Sequence, residues 1–140
     1  MEFVVGVVLA LLVCGAAWWL GMDRERVFYP TILIVIASYY VLFAVIDGRN
    51  EIVLPEVAIA ALFTAIAVAG FKRQLWLVVA ALAGHGVMDF FHHVLVRNTG
   101  VPPGWPGFCL AFDVTAAVFV GCLLQLRAQA APRPDERDSR

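Results

Sequence analysis

Long apolar stretches alternate with short polar ones along the whole chain. Residues 3–22, 27–47, 52–71, 75–96 and 107–126 each approach or exceed the ~20 residues with which a helix crosses a bilayer. Within each stretch the apolar residues are continuous rather than alternating, which excludes barrel strands and leaves helices to span the membrane. The pattern therefore predicts an all-α fold, a five-helix transmembrane bundle.

The connections between these stretches are short, except for the last. Residues 23–26, 48–51 and 72–74 are loops that force consecutive helices to run antiparallel. Residues 97–106 contain three prolines and Trp105, a natural interface anchor, and are expected to form a structured cap. Pro30 and Pro55 are expected in the first turns of their helices. We expect one domain over residues 1–130 and a disordered cytoplasmic tail over residues 131–140.

The distribution of basic residues predicts the orientation. If the N-terminus is outside, the outer side carries Arg49 and Arg97. The cytoplasmic side then carries Arg24, Arg26, Lys72, Arg73, Arg127, Arg133, Arg137 and Arg140. Because Lys and Arg concentrate on the cytoplasmic side of membrane proteins, we expect the N-terminus outside and the C-terminus in the cytoplasm.

Composition agrees with a multi-pass membrane protein. The chain is 62% hydrophobic and 15% charged, whereas soluble domains are ~25% charged. Its net charge of −1 gives no basic surface for nucleic acid, so the expected partner is the lipid bilayer. The 3 cysteines lie within apolar stretches without a CxxC spacing, which excludes a disulfide framework and a thiolate zinc site.

Ionisable residues inside the predicted spans are the most informative feature. An Asp in the middle of a membrane helix costs at least ~2.5 kcal/mol on insertion scales, so each such residue requires a reason. His85, Asp89 and His92 lie within about 60° of one another around the fourth helix. The fifth helix carries Asp113 and the third carries Glu56.

These residues all lie in the outer half of the membrane. With a rise of about 1.5 Å per residue, His92 lies about 6 Å inside the outer end of its helix, Asp89 about 10 Å and His85 about 16 Å. Asp113 lies about 9 Å deep and Glu56 about 6 Å deep from the same side. We therefore expect every buried ionisable group in the outer half and none in the inner half.

Imidazoles and carboxylates that converge in the outer half of the membrane indicate a site for a divalent metal, with zinc the first candidate. The predicted ligands are His85, Asp89, His92 and Asp113, and Glu56 is the predicted general base. The residues expected to support these ligands from around the site are His93, Tyr39, Tyr40 and Asp47. This combination predicts an outward-facing enzyme that acts on a lipid or other small amphiphile.

Other readings of the same residues stay open. The cluster could carry a metal ion or proton part-way across the membrane, in which case a five-helix protomer would need to form a homo-oligomer. It could instead be a buried polar network in a structural membrane partner. Ser38 lies on the second helix, where it could approach His85 as a nucleophile. Glu56 directly follows Pro55 and could simply favour a helix N-terminus.

Two segments resemble known membrane proteins. The segments LWLVVAALAGHGVMDFFHH and VPPGWPGFCLAFD resemble a family of small bacterial membrane proteins known only as a domain of unknown function. That resemblance implies a polytopic protein of the bacterial inner (plasma) membrane and no activity. In chemistry alone, the site resembles intramembrane zinc hydrolases of the ceramidase-like group. Those enzymes distribute their histidines over separate helices, whereas all 3 histidines of this chain lie on the fourth.

Overall fold

The computed structural model describes residues 1–130, and the predicted disordered tail lies outside the described residues. Its helices are α1 (Glu2–Leu20), α2 (Phe28–Asp47), α3 (Asn50–Lys72), α4 (Trp76–Leu95) and α5 (Trp105–Ala130), with a 3-10 turn at Met22–Arg24. All five are long and apolar enough to cross a membrane. The all-α, five-helix prediction is therefore confirmed.

Helix boundaries follow local chemistry at several ends. α1 and α2 each end at a glycine with positive φ, Gly21 at 76° and Gly48 at 80°, a conformation that closes helices and suits glycine. α3 begins at Asn50, so Pro55 lies in its second turn and not in the first turn as expected. α5 continues to Ala130, beyond the predicted apolar stretch, through residues such as Arg127 and Gln129 that favour helix.

The helices are not packed in chain order. α5 packs along α4 and α1, α3 packs along α2 and α4, and α2 also contacts α4. In the described part of the chain, the backbone of α1 comes close to α5 and the 3-10 turn, while α2 meets α1 only through side chains, such as Tyr29 in the same buried cluster as Cys14. The buried residues of α1 are small (Gly6, Ala10, Cys14 and Ala17), which lets α5 approach closely, as is common between membrane helices.

Two ends of the bundle can be distinguished. At the loop end, α2 and α4 end, α3 and α5 begin, and residues 96–104 connect α4 to α5. At the tail end, α5 terminates next to the 3-10 turn. Buried apolar side chains fill the tail half, including Leu33, Phe63, Leu82 and Val120. Many large apolar side chains are exposed on the outside, as expected of a surface that faces lipid.

Candidate metal centre

One face of α4 carries three buried polar side chains. His85, Asp89 and His92 are buried, and their spacing of four and three residues places them on the same helical face. Gly86 allows α5 to approach this face, because a Cβ there would lie 3.0 Å from the Cβ of Asp113 and 3.2 Å from the Leu110 carbonyl oxygen. The close contact between α4 and α5 brings Asp113 to the histidine.

Three ionisable side chains converge at this contact: His85, Asp89 and Asp113, called the triad below. The Nδ1 atom of His85 lies 2.8 Å from Oδ2 of Asp113 and 3.2 Å from Oδ2 of Asp89. All three side chains are 0% exposed. Each offers one ligand atom, and these atoms lie within 4.8 Å of one another.

Most of the polar capacity of the triad is unused. In residues 1–130, His85 Nε2, Asp113 Oδ1 and both carboxylate oxygens of Asp89 are buried without a hydrogen bond of good geometry, although Oδ2 of Asp89 lies 3.2 Å from His85 Nδ1 and the Tyr40 and Cys109 side chains lie beside the same carboxylate. Leaving such atoms unpaired costs about 1–3 kcal/mol each, and more for charged groups, so natural proteins rarely do it. These atoms require a further partner.

The donor set fits a divalent metal. One imidazole and two carboxylates suit zinc and similar ions, and catalytic zinc sites keep three protein ligands with one open position. Tetrahedral coordination with bonds of ~2.0–2.2 Å separates ligand atoms by about 3.3–3.6 Å. The 3.2 Å distance to Asp89 is close to this separation, and the 2.8 Å distance to Asp113 would need to open by about 0.5–0.8 Å.

A second buried polar group lies nearer the loop end. His92 Nε2 lies 2.9 Å from Oε1 and 3.0 Å from Oε2 of Glu56, and Asn98 Nδ2 donates to Glu56 Oε1 at 2.9 Å. Glu56 is 0% exposed and His92 is 2% exposed. Of the predicted ligands, His92 thus pairs with Glu56, while the other three form the triad.

Tyr40 packs between the two groups. Its ring centroid lies 4.1 Å from that of His92 and 6.3 Å from that of His85. Its hydroxyl is buried beside the Asp89 carboxylate and, within the described residues, forms no hydrogen bond of good geometry. Tyr39, by contrast, faces outward and packs against Phe43 and Trp105. Of the two tyrosines expected to support the ligands, only Tyr40 contacts them.

Asp47 anchors the loop of residues 96–104. Its carboxylate accepts hydrogen bonds from the backbone N–H and hydroxyl of Thr99, each at 2.6 Å, and from the guanidinium of Arg49. The hydrogen bond to Asp47 raises the pKa of Arg49, which also donates to the carbonyl of Arg97. Asp47 therefore holds the loop that carries Asn98. It does not contact the buried histidines itself, and it supports them only through this loop.

His93 and Ser38 face away from the triad. His93 is exposed and, with His92 and Asn98, lines a cavity of about 470 Å³ at the loop end. Ser38 is also exposed, and its hydroxyl donates to the carbonyl of Val35 at 2.7 Å. A nucleophilic Ser38 beside His85 is therefore not supported.

The tail end contains a buried acid that the sequence analysis did not anticipate. Asp23, in the 3-10 turn, is 2% exposed and accepts a hydrogen bond from Arg127 at 2.5 Å. The expectation that the other half holds no buried ionisable group is therefore wrong at this position. The reason is tertiary packing: α5 extends far enough for Arg127 to reach the 3-10 turn and pair with the buried carboxylate of Asp23.

Asn98 and Phe63 are also part of the site region. Asn98 lies in the loop, where no helical periodicity marks it, and it also donates to the carbonyl of Tyr40 at 3.3 Å. Phe63 on α3 packs edge-on against His85, with centroids 4.6 Å apart. An apolar residue in an apolar helix carries no signal that distinguishes it from ordinary packing.

Comparisons with known proteins give no relative for this chain: no family model, curated protein or solved structure matches it. The resemblance to small bacterial membrane proteins stays a prediction, and the function has to be argued from the site itself.

Proposed function

We propose that this chain is a membrane-embedded, metal-dependent enzyme whose triad holds a divalent ion and which acts on a lipid or other small amphiphile. The observation that carries the proposal is the convergence of His85, Asp89 and Asp113 at 0% exposure with unpaired polar atoms. When bound, a divalent ion supplies Lewis-acid activation of water or of a carbonyl group.

The charges of the triad favour a metal over a purely structural network. Two carboxylates share one imidazole nitrogen, and one imidazolium balances only one of them. Like charges in a site without water repel each other strongly, and buried charges require pairing. A divalent ion would neutralise both acids and use the oxygens that have no other partner.

The second polar group supports the site in a different way. Both oxygens of Glu56 are engaged by His92, and Asn98 adds a hydrogen bond from the loop. A carboxylate held in this way is better suited to positioning than to accepting a proton from water. In the proposal, Glu56 therefore holds His92 and the loop in place and is not the general base predicted from the sequence, while Asp89 is one of the three ligands of the ion.

Metal analysis of purified protein tests the proposal directly. Protein prepared without chelators, or reloaded with Zn²⁺ or Mn²⁺ after stripping, should hold about one ion per chain. Asp113→Asn preserves the shape of the side chain but removes a charged ligand, so metal affinity should fall by at least ~10-fold. Asp23→Asn changes another buried acid at the tail end and should leave the metal content unchanged.

Failure would have a clear form. If the wild type holds no stoichiometric metal and Asp113→Asn matches it in every measurement, the triad is a structural hydrogen-bonded network. If metal binds but no chelator-sensitive hydrolysis of ester- or amide-linked amphiphiles is found, a binding or transport role becomes the better account. Circular dichroism of each variant should report whether the helices remain intact.

The outward orientation in the proposal follows from the distribution of Lys and Arg. A reporter fused after Arg140 should be active only if it works in the cytoplasm, and one inserted at Gly100 only if it works outside. Because Gly100 lies between α4 and α5, the two reporters must fall on opposite sides of a spanning α5. The reverse pattern would place the loop end in the cytoplasm and overturn the outward-facing assignment.

A further inference from the structure

An apolar groove runs between α1, α2 and α5. It has a volume of about 410 Å³ and is lined by residues of all three helices, including Val13, Ile36, Tyr39, Trp105, Phe112 and Asp113. It exists because α1 packs on α5 and α2 packs on α3, which leaves a gap between α1 and α2 beyond the 3-10 turn. One member of the triad thus borders a surface that faces the outside of the bundle.

The location of the groove limits what can fill it. α1, α2 and α5 are all candidate membrane spans, so the groove lies at the level of lipid. Lipid chains are as apolar as the side chains that line the groove, and they are the solvent at that depth. Asp113 is the only Asp, Glu, Lys, Arg or His among the lining residues.

A hydrogen-bond donor for the polar end of a ligand lies near the loop end of the groove. The indole N–H of Trp105 is buried and, in the part of the chain that the structure describes, has no hydrogen-bond acceptor. Its ring packs against Tyr39, Phe43 and Phe108, with centroids 5.4, 5.0 and 5.4 Å away. A buried tryptophan N–H usually has a partner, so this donor points to a ligand with an acceptor atom.

We propose that the groove binds one single-chain amphiphile from the bilayer, with its chain between α1, α2 and α5 and its polar end at the Trp105 N–H. This inference rests on the proposed function for the role of Asp113, and it adds the class of substrate and its route of entry. The volume lies near the lower end of the ~300–1,000 Å³ typical of ligand pockets, which favours one chain over two.

The spacing along α5 is consistent with this placement. Trp105 and Asp113 are separated by about 12 Å along the helix. The polar region of one leaflet is about 5–8 Å deep. An amphiphile with its polar end at Trp105 therefore places its linkage between Trp105 and Asp113, and the first part of its chain beside Asp113. The carboxylate is 0% exposed, so the substrate reaches it only when the groove side chains move apart.

Photo-crosslinking tests the inference without requiring a known reaction. The probe is palmitic acid with a diazirine in its chain, added to phosphatidylcholine vesicles that contain the full-length protein. Labelling should concentrate on the groove segments of α2 and α5, several-fold above the lipid-facing segment around Leu62 of α3. A phosphatidylcholine with the same diazirine chain should label the groove less than the single-chain probe.

Groove-filling variants provide the matched controls. Ile36→Trp should reduce groove labelling several-fold, and Val13→Trp, which fills the groove from α1, should do the same if Ile36→Trp does not fold. Leu62→Trp adds the same bulk on the 59% exposed lipid face of α3 and should change nothing. Equal labelling of the groove and the Leu62 segment, or preference for the two-chain probe, would overturn the inference.

Failures of the two proposals can be told apart. Ile36→Trp should still bind the metal, and His85→Ala should lose the metal but still be labelled in the groove. Groove labelling in a protein that never holds metal would leave the amphiphile site standing and remove the proposed metal chemistry. Metal binding without preferential labelling of the groove would leave the metal site standing and remove the amphiphile site.

Discussion

Two buried polar groups lie side by side near the loop end, and they differ in how completely their atoms are paired. In the group around Glu56, the carboxylate is held by His92 and Asn98 together. In the triad, four buried polar atoms have no partner within residues 1–130. Both groups contain histidine and carboxylate, so residue type alone would not separate them.

The difference teaches how to divide a buried polar cluster into structural and functional parts. A satisfied group has little left to offer a ligand, and removing one partner leaves the other buried and unpaired. An unsatisfied group is costly to maintain, and its persistence indicates a ligand that completes it. We therefore assign stability to the Glu56 group and binding to the triad.

The largest expected effect is on the stability of the Glu56 group. Glu56→Ala removes the partner of both His92 and Asn98, and breaking a buried pair in this way costs about 3–5 kcal/mol. Thermal unfolding in detergent should show a large fall in Tm, whereas Glu51→Ala, an exposed change on the same helix, should have almost none. A Tm equal to that of the wild type for Glu56→Ala would contradict the assignment of a stabilising role to the Glu56 group.

A smaller effect is expected on metal affinity when α4 and α5 are forced apart. Gly86→Ala places a Cβ 3.0 Å from the Cβ of Asp113, whereas the same change at Gly84 meets nothing within 4 Å. Both changes favour the helix equally, so their difference isolates the contact. Metal affinity should fall by about 10-fold in Gly86→Ala, as for other changes that support metal ligands, and stay unchanged in Gly84→Ala. Equal titration curves for the two variants would contradict a ligand role for Asp113.

The smallest expected effect sharpens the boundary between the groups. Tyr40→Phe removes a buried hydroxyl that lies beside the Asp89 carboxylate and, among the described residues, forms no hydrogen bond of good geometry. Because at most one weak bond is lost, the free energy of unfolding should change by less than the ~1 kcal/mol that a hydrogen bond contributes. Chemical denaturation of the metal-free protein measures this. A larger loss would mean that the hydroxyl belongs to one of the two networks.

Much of the fold could be predicted from the sequence because each membrane span is a continuous apolar stretch of about 20 residues. The packing order could not, since the short connection at residues 23–26 gives no hint that α1 lies against α5 and not against α2. The small residues Gly6, Ala10, Cys14 and Ala17 show that one face of α1 packs closely. They do not show against which helix.

The candidate site could be predicted in part for similar reasons. His85, Asp89 and Asp113 were grouped by helical face and by depth, and the structure brings them together. His92 shares their face, yet it lies about 10 Å along α4 from His85. That separation places it beside Glu56. Asn98 had no signal at all, because a polar residue in a loop is the ordinary case.

The close packing of α1 on α5 has a consequence for biosynthesis. A nascent chain enters the membrane from its N-terminus, and membrane helices associate after they have been inserted. Because α5 is the only helix, among the described residues, whose backbone packs closely along α1, the main partner of α1 is absent until α5 has been made. Chains that stop before α5 should therefore leave α1 loosely held in the bilayer, where it is exposed to quality-control proteases.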